Sequence, residues 1–214
     1  NAYGVNVDIN PSDRQIPLFS LGSYFRKSKN NFDPKPYIIP NPERVSYYKN
    51  ILSKNNKIKI GLSWCTKSSA TKSIPLHRLS KILTLDSCEF INLQYGETAE
   101  EIKKFKSEFG KDLLNIDNLD LMNDFEGLAA LIVNCDLVIT ITNATAQLAG
   151  SLGTTTWLML YFNPHWEWFL KRTDSLWYPN VKIFRKKMSC ENWNNVIENV
   201  YNELLKKINN YGKK

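Results

Sequence analysis

The alternation of short apolar runs with amphipathic segments is the feature of this sequence that most constrains its fold. Strands are predicted at 58–64, 88–95, 111–116, 137–141, 157–160 and 181–186, and helices at 76–85, 99–109, 124–135, 146–152 and 193–208. Strands that alternate with helices in this way favour a parallel sheet with helices on both faces. The sequence therefore predicts an α/β fold, a doubly wound, Rossmann-like parallel sheet, in a domain spanning residues 57–214.

Residues 1–56 differ from that domain. They hold six of the nine prolines and many Asn and Lys residues, which favours an extended connector. One short amphipathic helix is predicted at 42–54, with Val45, Tyr48 and Leu52 on one side. Because the first residue is Asn1 rather than Met, we expect a piece of a longer chain. Residues 1–56 would then be the linker from a missing N-terminal domain.

The net charge of the chain leaves several partners open. Its formal value is +7, and a basic surface attracts nucleic acid, anionic membranes or phosphorylated ligands. The alternative is a lysine-rich composition with solvated side chains, which we favour because most of the lysines adjoin helix patterns. No transmembrane segment is predicted, since no apolar stretch reaches about 18 residues.

The four cysteines predict neither a metal site nor a disulfide framework. They show no C-x-x-C spacing, and the chain has only two histidines, so a zinc site is disfavoured. Cys88 and Cys135 adjoin apolar runs and are predicted to be small buried side chains. Free thiols favour a reducing compartment, and we expect the cytoplasm.

The loops that follow the strands are where a ligand is expected. In open α/β sheets, ligands bind outside the carboxyl ends of the strands, at the point where the strand order reverses. The candidate residues in or near these loops are Ser63, Thr66, Lys67, Lys72, Gln94, Tyr95, Asp124, Thr142, Asn143, Ala144, Thr145 and Gln147.

The stretch CDLVITITNATAQLAGSLGTTTWLMLY, residues 135–161, contains the strongest of these signals. Its polar break at 142–145 separates a strand from a helix, and a helix N-terminus presents unpaired N–H groups and a positive dipole to a phosphate. The alternative is simple capping, for which Thr142 or Asn143 would serve. The lysines and hydroxyls of the first loop, expected at the same sheet edge, favour a phosphate site.

Three common motifs are absent from the sequence. There is no G-x-G-x-x-G, no G-x-x-x-x-G-K-[ST] and no D-x-D-like pair after a strand. We therefore expect a metal-independent site that handles charge with helix dipoles and lysines, with no cofactor.

Six stretches carry a resemblance to a known family: KIGLSW, KSIPL, FINLQYG, DFEGLAALIVNCDLVITITNATAQLAGSLGTTTWLML, HWEWFL and DSLWYPNVKIFR. In this order they resemble the glycosyltransferase domain often found behind tetratricopeptide repeats in bacterial proteins. That domain is related to the heptosyltransferases and more distantly to O-GlcNAc transferase. The resemblance covers most of residues 16–187. It implies a B-type glycosyltransferase fold, of which this chain would be the C-terminal, donor-binding domain plus a connector.

The resemblance also implies roles and partners. Ser63, Thr66, Lys67 and Lys72 would touch the diphosphate of a nucleotide-sugar donor, and the turn at 142–147 would hold the same group. Gln94 and Tyr95 would lie near the base or ribose, and Asp124 would cap a helix near the nucleoside. The acceptor, and usually the catalytic base, belong to an N-terminal domain, here expected in the longer chain together with a repeat region, so the fragment alone could be inactive.

The chain departs from the family at the phosphate turn. Thr142, Asn143 and Gln147 replace the usual Asp-Thr and His, and Lys72 replaces an arginine. Gln147 can form hydrogen bonds with a phosphate but carries no charge. Lys72 keeps the charge but lacks the bidentate fork of arginine.

No catalytic base is predicted within this chain. His77 belongs to a helix pattern, and His165 lies nearer to the expected cleft. Trp166 is a candidate for stacking on a base or sugar, and the alternative is that this aromatic segment forms a packed corner.

Three functions compete on this sequence. The first is a donor-binding domain of a glycosyltransferase, and the second is a binding module with the same fold that has lost transferase activity. The third is a basic, nucleic-acid-binding domain, which we disfavour because aromatic and basic residues do not interleave along one face.

Overall fold

The computed structural model describes residues 16–33, 35–67, 70–187 and 192–211. The chain divides into two compact units, residues 1–33 and 34–214. The first unit contains helix α1, Gly22–Phe25, flanked by 3-10 helices at Leu18–Leu21 and Lys29–Asn31. The second unit contains the sheet and all further elements.

Five parallel strands form the sheet: β1 (Ile58–Ser63), β2 (Cys88–Asn92), β3 (Leu137–Ile141), β4 (Thr156–Leu160) and β5 (Val181–Arg185). Their spatial order is β2-β1-β3-β4-β5. The chain starts in β1, moves to β2 at one side, and crosses back to β3 at the other side. The point where the order reverses therefore lies between β1 and β3, and the prediction of an α/β parallel sheet is confirmed.

The helices of the second unit connect or flank these strands. They are α2 (Pro42–Leu52), α3 (Ser80–Leu83), α4 (Ala99–Phe109), α5 (Phe125–Ile132), α6 (Ala144–Ser151) and α7 (Asn194–Tyr211), with 3-10 helices at Ala70–Lys72, Leu76–Leu79 and Trp166–Trp168.

Both faces of the sheet are covered by apolar side chains. On β3, Leu137 and Ile139 belong to a core shared with α7, whereas Val138 belongs to a second core shared with α2 and α5. Every residue of β3 and β4 is buried. This is the burial expected of central parallel strands, whose side chains alternate between two packed layers.

One predicted strand is not formed as expected. Residues 111–116 contribute only an isolated parallel bridge, from Leu114 to Ile91 at the outer edge of β2. The backbone of Leu114 makes both of its hydrogen bonds to β2, from its N–H to the Phe90 carbonyl at 2.7 Å and from the Asn92 N–H to its carbonyl at 2.9 Å. The N–H and carbonyl of the preceding Leu113 bond to the side chains of Asp112 and Asn115, at 2.9 and 3.3 Å. The predicted strand is thus reduced to a single bridging residue at the edge of the sheet.

The predicted helix at 76–85 is split into a 3-10 turn and α3. Pro75 precedes the turn as its N-cap residue, and the Glu101 carboxylate accepts from the N–H of Leu76 at 2.7 Å. The Glu101 carboxylate on α4 therefore caps the first backbone N–H of this 3-10 turn, since the proline at the N-cap position has no side-chain acceptor.

Helix α2 packs against α5 within the same compact unit as the sheet. Tyr48 and Leu52 are buried there, on the side predicted from the sequence. Residues 35–56 are thus part of the folded unit, and the role of residues 1–56 as a linker to another domain stays a prediction.

Cysteines 65, 88 and 135 are free thiols. Cys88 and Cys135 are buried, as predicted, and burial raises the pKa of Cys88 to about 11 and that of Cys135 to about 12. Cys190 lies outside the described residues. Within the described ranges, no helix has the length and hydrophobicity needed to cross a membrane.

Candidate functional site

The carboxyl ends of β1 and β3 are joined by one hydrogen bond between side chains. Ser63, the last residue of β1, is fully buried, and its hydroxyl accepts from Asn143 Nδ2 at 2.7 Å. Asn143 immediately precedes α6. The loop after β1 and the N-terminus of α6 therefore meet at the point where the strand order reverses.

Asn143 is also the N-cap of α6. Its Oδ1 accepts from the N–H of Ala146 at 3.2 Å and from Thr140 Oγ1 at 3.1 Å, while Nδ2 also donates to the Cys65 carbonyl at 3.4 Å. Both ends of the amide are occupied, so its orientation is fixed. The capping role expected from the sequence is present and coexists with the link to β1.

Gln94, after β2, holds the backbone of the first loop. Its side chain is buried, and Oε1 accepts from Ser63 Oγ at 2.9 Å and from the N–H groups of Trp64 and Cys65 at 2.8 Å each. Nε2 donates to the Tyr95 carbonyl at 2.9 Å. Gln94 thus lies at the expected sheet edge, but its amide orders the loop.

The first loop is closed by further hydrogen bonds at its base. Thr66 N–H donates to Ser73 Oγ at 3.0 Å, and Ile74 N–H donates to the Trp64 carbonyl at 2.9 Å. Lys67 is exposed near Gly96, and Lys72, at the end of the 3-10 turn, is half-buried. Two ammonium groups therefore belong to this loop, whose residues 68 and 69 lie outside the described ranges.

The first turn of α6 combines exposed and buried small residues. Ala144 is exposed, Thr142 is half-buried, and Thr145 is fully buried with its Oγ1 3.5 Å from Ser63 Oγ. The first N–H groups of a helix have no partner within the helix and carry a positive partial charge. This turn is electrostatically suited to an anion.

Asp124 caps α5, as predicted, and has a partner that sequence reasoning missed. Its Oδ1 accepts from the N–H of Gly127 at 2.9 Å, and the two carboxylate oxygens bind the guanidinium of Arg44 on α2. The hydrogen bond from Arg44 holds the pKa of Asp124 below its usual range. The Asp124 carboxylate therefore links α2 to α5.

A cavity of about 550 Å³ opens beside the carboxyl end of β2. Tyr95 and Gly96 line one part of it, and Leu119, Leu121 and Met122 line another. Its position beyond β2 places it on one side of the Ser63–Asn143 link.

Gln147 and Trp166 lie on the other side, near the loop after β4. The Tyr178 hydroxyl donates to Gln147 Oε1 at 2.7 Å, and Gln147 Nε2 donates to the Glu167 carboxylate at 3.2 Å. Trp166 is 52% exposed and packs edge-on against Trp177, with ring centroids 5.8 Å apart. The contacts of Gln147 with Glu167 and Tyr178 were not predicted, because no local pattern signals contacts across 20 and 31 positions.

The two histidines differ in their surroundings. His77 is exposed on the 3-10 turn near Glu101 and Glu108. His165 is exposed, with Nδ1 3.9 Å from the Glu167 carboxylate. Among the residues that the structure describes, no group of three His, Cys, Asp or Glu side chains could hold a metal ion.

Comparison with known proteins gives a related sequence and several related folds. No family model matches the chain. Protein FlbA of Caulobacter vibrioides is 34% identical over 154 residues, which cover 69% of this chain and 25% of FlbA.

Solved glycosyltransferases share the fold. The structure of the glycosyl transferase family 9 protein from Veillonella parvula superposes with a TM-score of 0.62 at 12% identity, over 84% of this chain. The E. coli ADP-heptose heptosyltransferase II superposes with 0.57 at 13%, over 83%. E. coli heptosyltransferase WaaC with ADP superposes with 0.50 at 13%, over 78%. The α/β fold of this chain is therefore one found in B-type glycosyltransferases.

The chain is shorter than the proteins it matches. It spans a quarter of FlbA and 55%, 57% and 48% of the three structures in the order given.

Proposed function

We propose that the chain is the donor-binding domain of a metal-independent glycosyltransferase that uses a nucleotide-diphosphate sugar. The observation that carries this proposal is the Ser63–Asn143 link, at 2.7 Å, between the β1 loop and the N-terminus of α6. It creates a preorganised polar turn at the point of the sheet where α/β folds bind ligands.

Electrostatics at this turn favour a diphosphate. The first turn of α6, in which Ala144 is exposed, supplies partial positive charge, and Lys67 and Lys72 belong to the loop after β1. In glycosyl transfer, negative charge grows on the departing nucleoside diphosphate. Fixed N–H donors and ammonium groups stabilise such charge without reorganising, a contribution of several kcal/mol in oxyanion sites.

The cavity beside β2 is the proposed nucleoside subsite. Its volume of about 550 Å³ and its partly apolar lining, which includes Tyr95, Leu121 and Met122, suit an aromatic base. Asp124 and Gln94 act by positioning in this proposal, since their side chains are engaged by Arg44 and by the β1 loop.

A further domain is proposed as the partner of this one, because the solved glycosyltransferases that share its fold are longer than this chain. The three solved glycosyltransferases are about twice as long as the matched part, so we assign the acceptor site and the catalytic base to a further domain of the longer chain. A tetratricopeptide-repeat region is the proposed neighbour, the nucleotide sugar is the proposed small-molecule partner, and the cytoplasm is the proposed location.

A second candidate function is a nucleotide-binding module without transferase activity. The engagement of Gln147 by Tyr178 and Glu167 favours it, because the side chain at that position is tied to the fold. Transfer from a nucleotide sugar by the longer chain separates this candidate from the first.

The first test is thermal melting of the 214-residue chain with millimolar UDP, GDP, ADP or CDP and with the matching monophosphates. A ligand that binds only the native state raises the melting temperature by mass action. We expect one diphosphate to raise it more than its monophosphate does. Equal melting temperatures with and without every nucleotide would contradict the donor site.

The second test is the Lys72→Ala variant. Loss of one ammonium contact should weaken diphosphate affinity about tenfold, equivalent to about 1.4 kcal/mol, while the ligand-free melting temperature stays the same. Lys54→Ala is the matched control, because Lys54 is an exposed lysine that precedes β1 at the opposite end of the strands. Equal affinity in both variants would remove Lys72 from the site.

A further inference from the structure

The parts of the candidate site lie in a row along the carboxyl edge of the sheet. The cavity lies beyond β2, the Ser63–Asn143 link joins β1 and β3, and the loop after β4 lies on the far side of α6. A nucleotide sugar is a linear ligand whose diphosphate separates the nucleoside from the sugar. If the nucleoside occupies the cavity, the sugar is directed toward the loop after β4.

A carboxylate is held at that end of the site. Glu167 lies in the 3-10 turn Trp166–Trp168, and its side chain is 19% exposed. One oxygen accepts from Gln147 Nε2 at 3.2 Å, and the other lies 3.9 Å from His165 Nδ1. Gln147 is on the first turn of α6, so its amide links the carboxylate to the helix whose N-terminus is the proposed phosphate position.

The support beneath this carboxylate is rigid. Gln147 Oε1 accepts from Tyr178, whose ring lies directly against Gly150 of α6. Ser151 Oγ lies 2.7 Å from the Gln147 carbonyl oxygen and 2.8 Å from the Tyr37 hydroxyl. Burial raises the pKa of Tyr178, which keeps its hydroxyl protonated as a donor. Both polar atoms of the Gln147 amide are therefore engaged, with Oε1 bonded to Tyr178 and the Nε2 N–H donated to Glu167.

We propose that Glu167 binds the sugar of the donor and is a specificity-determining residue for it. This inference rests on the proposed function. A carboxylate accepts hydrogen bonds and donates none, so it binds a hydroxyl or ammonium group of the sugar. It also disfavours a sugar that presents a carboxylate to it, because the like charges repel. The donor class that fits is a neutral or amino sugar.

The competing role for Glu167 is purely structural, as an acceptor that orders the loop through Gln147 and His165. The two roles differ in what a substitution changes. A structural role alters affinity for the free diphosphate and for its sugar conjugate alike. A sugar-binding role alters only the affinity that the sugar adds.

The experiment measures dissociation constants by calorimetry for UDP, UDP-glucose and UDP-glucuronate, with GDP and GDP-mannose, and ADP and ADP-glucose, as parallel sets. The proteins are the 214-residue chain and its Glu167→Gln and Glu167→Ala variants. Glu198→Gln is the matched control, since Glu198 pairs with Lys81 on α3, away from the site. Melting temperatures without ligand establish that each variant folds.

We expect the neutral conjugate to bind more tightly than its free diphosphate in the unmodified chain. That advantage should fall at least fivefold in Glu167→Gln and disappear in Glu167→Ala, with free diphosphate affinity unchanged within twofold. If the UDP set binds, UDP-glucuronate should bind more weakly than UDP-glucose, and Glu167→Gln should narrow the difference.

Four results would overturn the inference. An unchanged sugar advantage in both variants would exclude contact with the sugar, and equal weakening of diphosphate and conjugate would identify a structural role. If diphosphates bind but no conjugate binds more tightly, the sugar subsite is refuted while the nucleotide site stands. If no nucleotide or conjugate binds the unmodified chain, the proposed function itself fails, and this inference fails with it.

Discussion

At the scale of single residues, one amide connects the two loops of the candidate site. Asn143 caps α6 through Ala146 N–H and donates to Ser63 Oγ. We predict that Asn143→Ala lowers the free energy of unfolding by about 1–3 kcal/mol, from the lost cap and the lost buried hydrogen bond. Denaturation in urea measures this change.

Asn41→Ala is the control for that prediction. Asn41 caps α2 by accepting from the N–H groups of Glu43 and Arg44, without touching the site. Both variants should lose stability, but only Asn143→Ala should weaken diphosphate binding. Equal effects of the two variants on diphosphate binding would show that the Ser63 link has no role in the site.

The ion pair of Arg44 and Asp124 predicts a pH dependence of stability. The hydrogen bond from Arg44 lowers the pKa of Asp124 in the folded chain. A lowered folded pKa adds stability above the unfolded pKa and loses it as the pH falls through the folded value. Asp124→Asn should therefore cost about 1 kcal/mol at pH 7, and the difference should shrink below the usual aspartate pKa of 3.8.

The check is urea denaturation of both proteins between pH 7 and the acid limit of folding. The Arg44→Met background is the control, since it removes the partner and should make Asp124→Asn less costly and less dependent on pH. A difference that stays constant with pH would mean that the carboxylate is not stabilised by the guanidinium.

The role of a single residue could be predicted from the sequence only where neighbouring residues indicate it. Asp124 and Asn143 were predicted as possible caps because a polar residue preceded an apolar helical pattern. Arg44 was not predicted as the partner of Asp124, since the two are separated by 80 positions. The orientation of Gln94 was also not predictable, because it depends on how β1 and β2 are placed side by side.

At the scale of elements, α6 packs closely against the ring of Tyr178 at Gly150. We therefore predict that a single methyl group added at Gly150 destabilises the fold. A Cβ at Gly150 would lie 2.6 Å from Cγ of Tyr178 and 2.8 and 2.9 Å from its two Cδ atoms. Because the ring is buried, Gly150→Ala should destabilise the chain by about 1–3 kcal/mol, more than the gain of at most about 1 kcal/mol in helix propensity.

Urea denaturation of Gly150→Ala measures the balance, and Gly22→Ala is the control. Gly22 is also helical, and a Cβ there meets nothing within 4 Å. The control should be neutral or slightly stabilising. A Gly150→Ala variant as stable as the unmodified chain would mean that Tyr178 shifts freely, in which case Gln147 and Glu167 are not rigidly supported.

The bounds of an element were predicted best where the sequence marks both of its ends. Helix α4 spans Ala99–Phe109 as expected and ends at Gly110, whose φ of 66° is left-handed and favours glycine. The strand predicted at 111–116 was reduced to one bridge, in which the backbone of Leu114 pairs with β2. The apolar pattern of this segment predicted that it would pair with the sheet, but not how short the pairing would be.

At the scale of the whole molecule, the sheet follows from the alternation of strands and helices, whereas the strand order does not. The order places β1 and β3 side by side, and only this neighbourhood brings Ser63 to Asn143. The candidate loops were therefore predictable as a set, because parallel strands end at one edge. Which side chains meet, and that Glu167 is among them, depends on packing between distant segments.

The charge of the whole molecule separates a nucleotide site from a nucleic-acid surface. The net charge is +7, and five lysines in the described part of the chain are paired with carboxylates outside their own element. These pairs are Lys59–Glu89, Lys81–Glu198, Lys106–Asp112, Lys111–Asp86 and Lys182–Glu203. Lysines that are neutralised in this way add little to a continuous basic stripe of the kind that follows a phosphate backbone.

We therefore predict only non-specific binding to nucleic acid, with a dissociation constant weaker than about 1 µM for a single strand or a duplex of about 30 nucleotides at physiological salt. Fluorescence anisotropy over a series of salt concentrations measures it, with Lys54→Ala and Lys72→Ala compared. Both variants should weaken this binding to the same small extent, while only Lys72→Ala weakens diphosphate binding. Submicromolar nucleic-acid binding that UDP, GDP, ADP or CDP displaces, and that Lys72→Ala alone removes, would instead identify the turn at 142–147 as part of a nucleic-acid site.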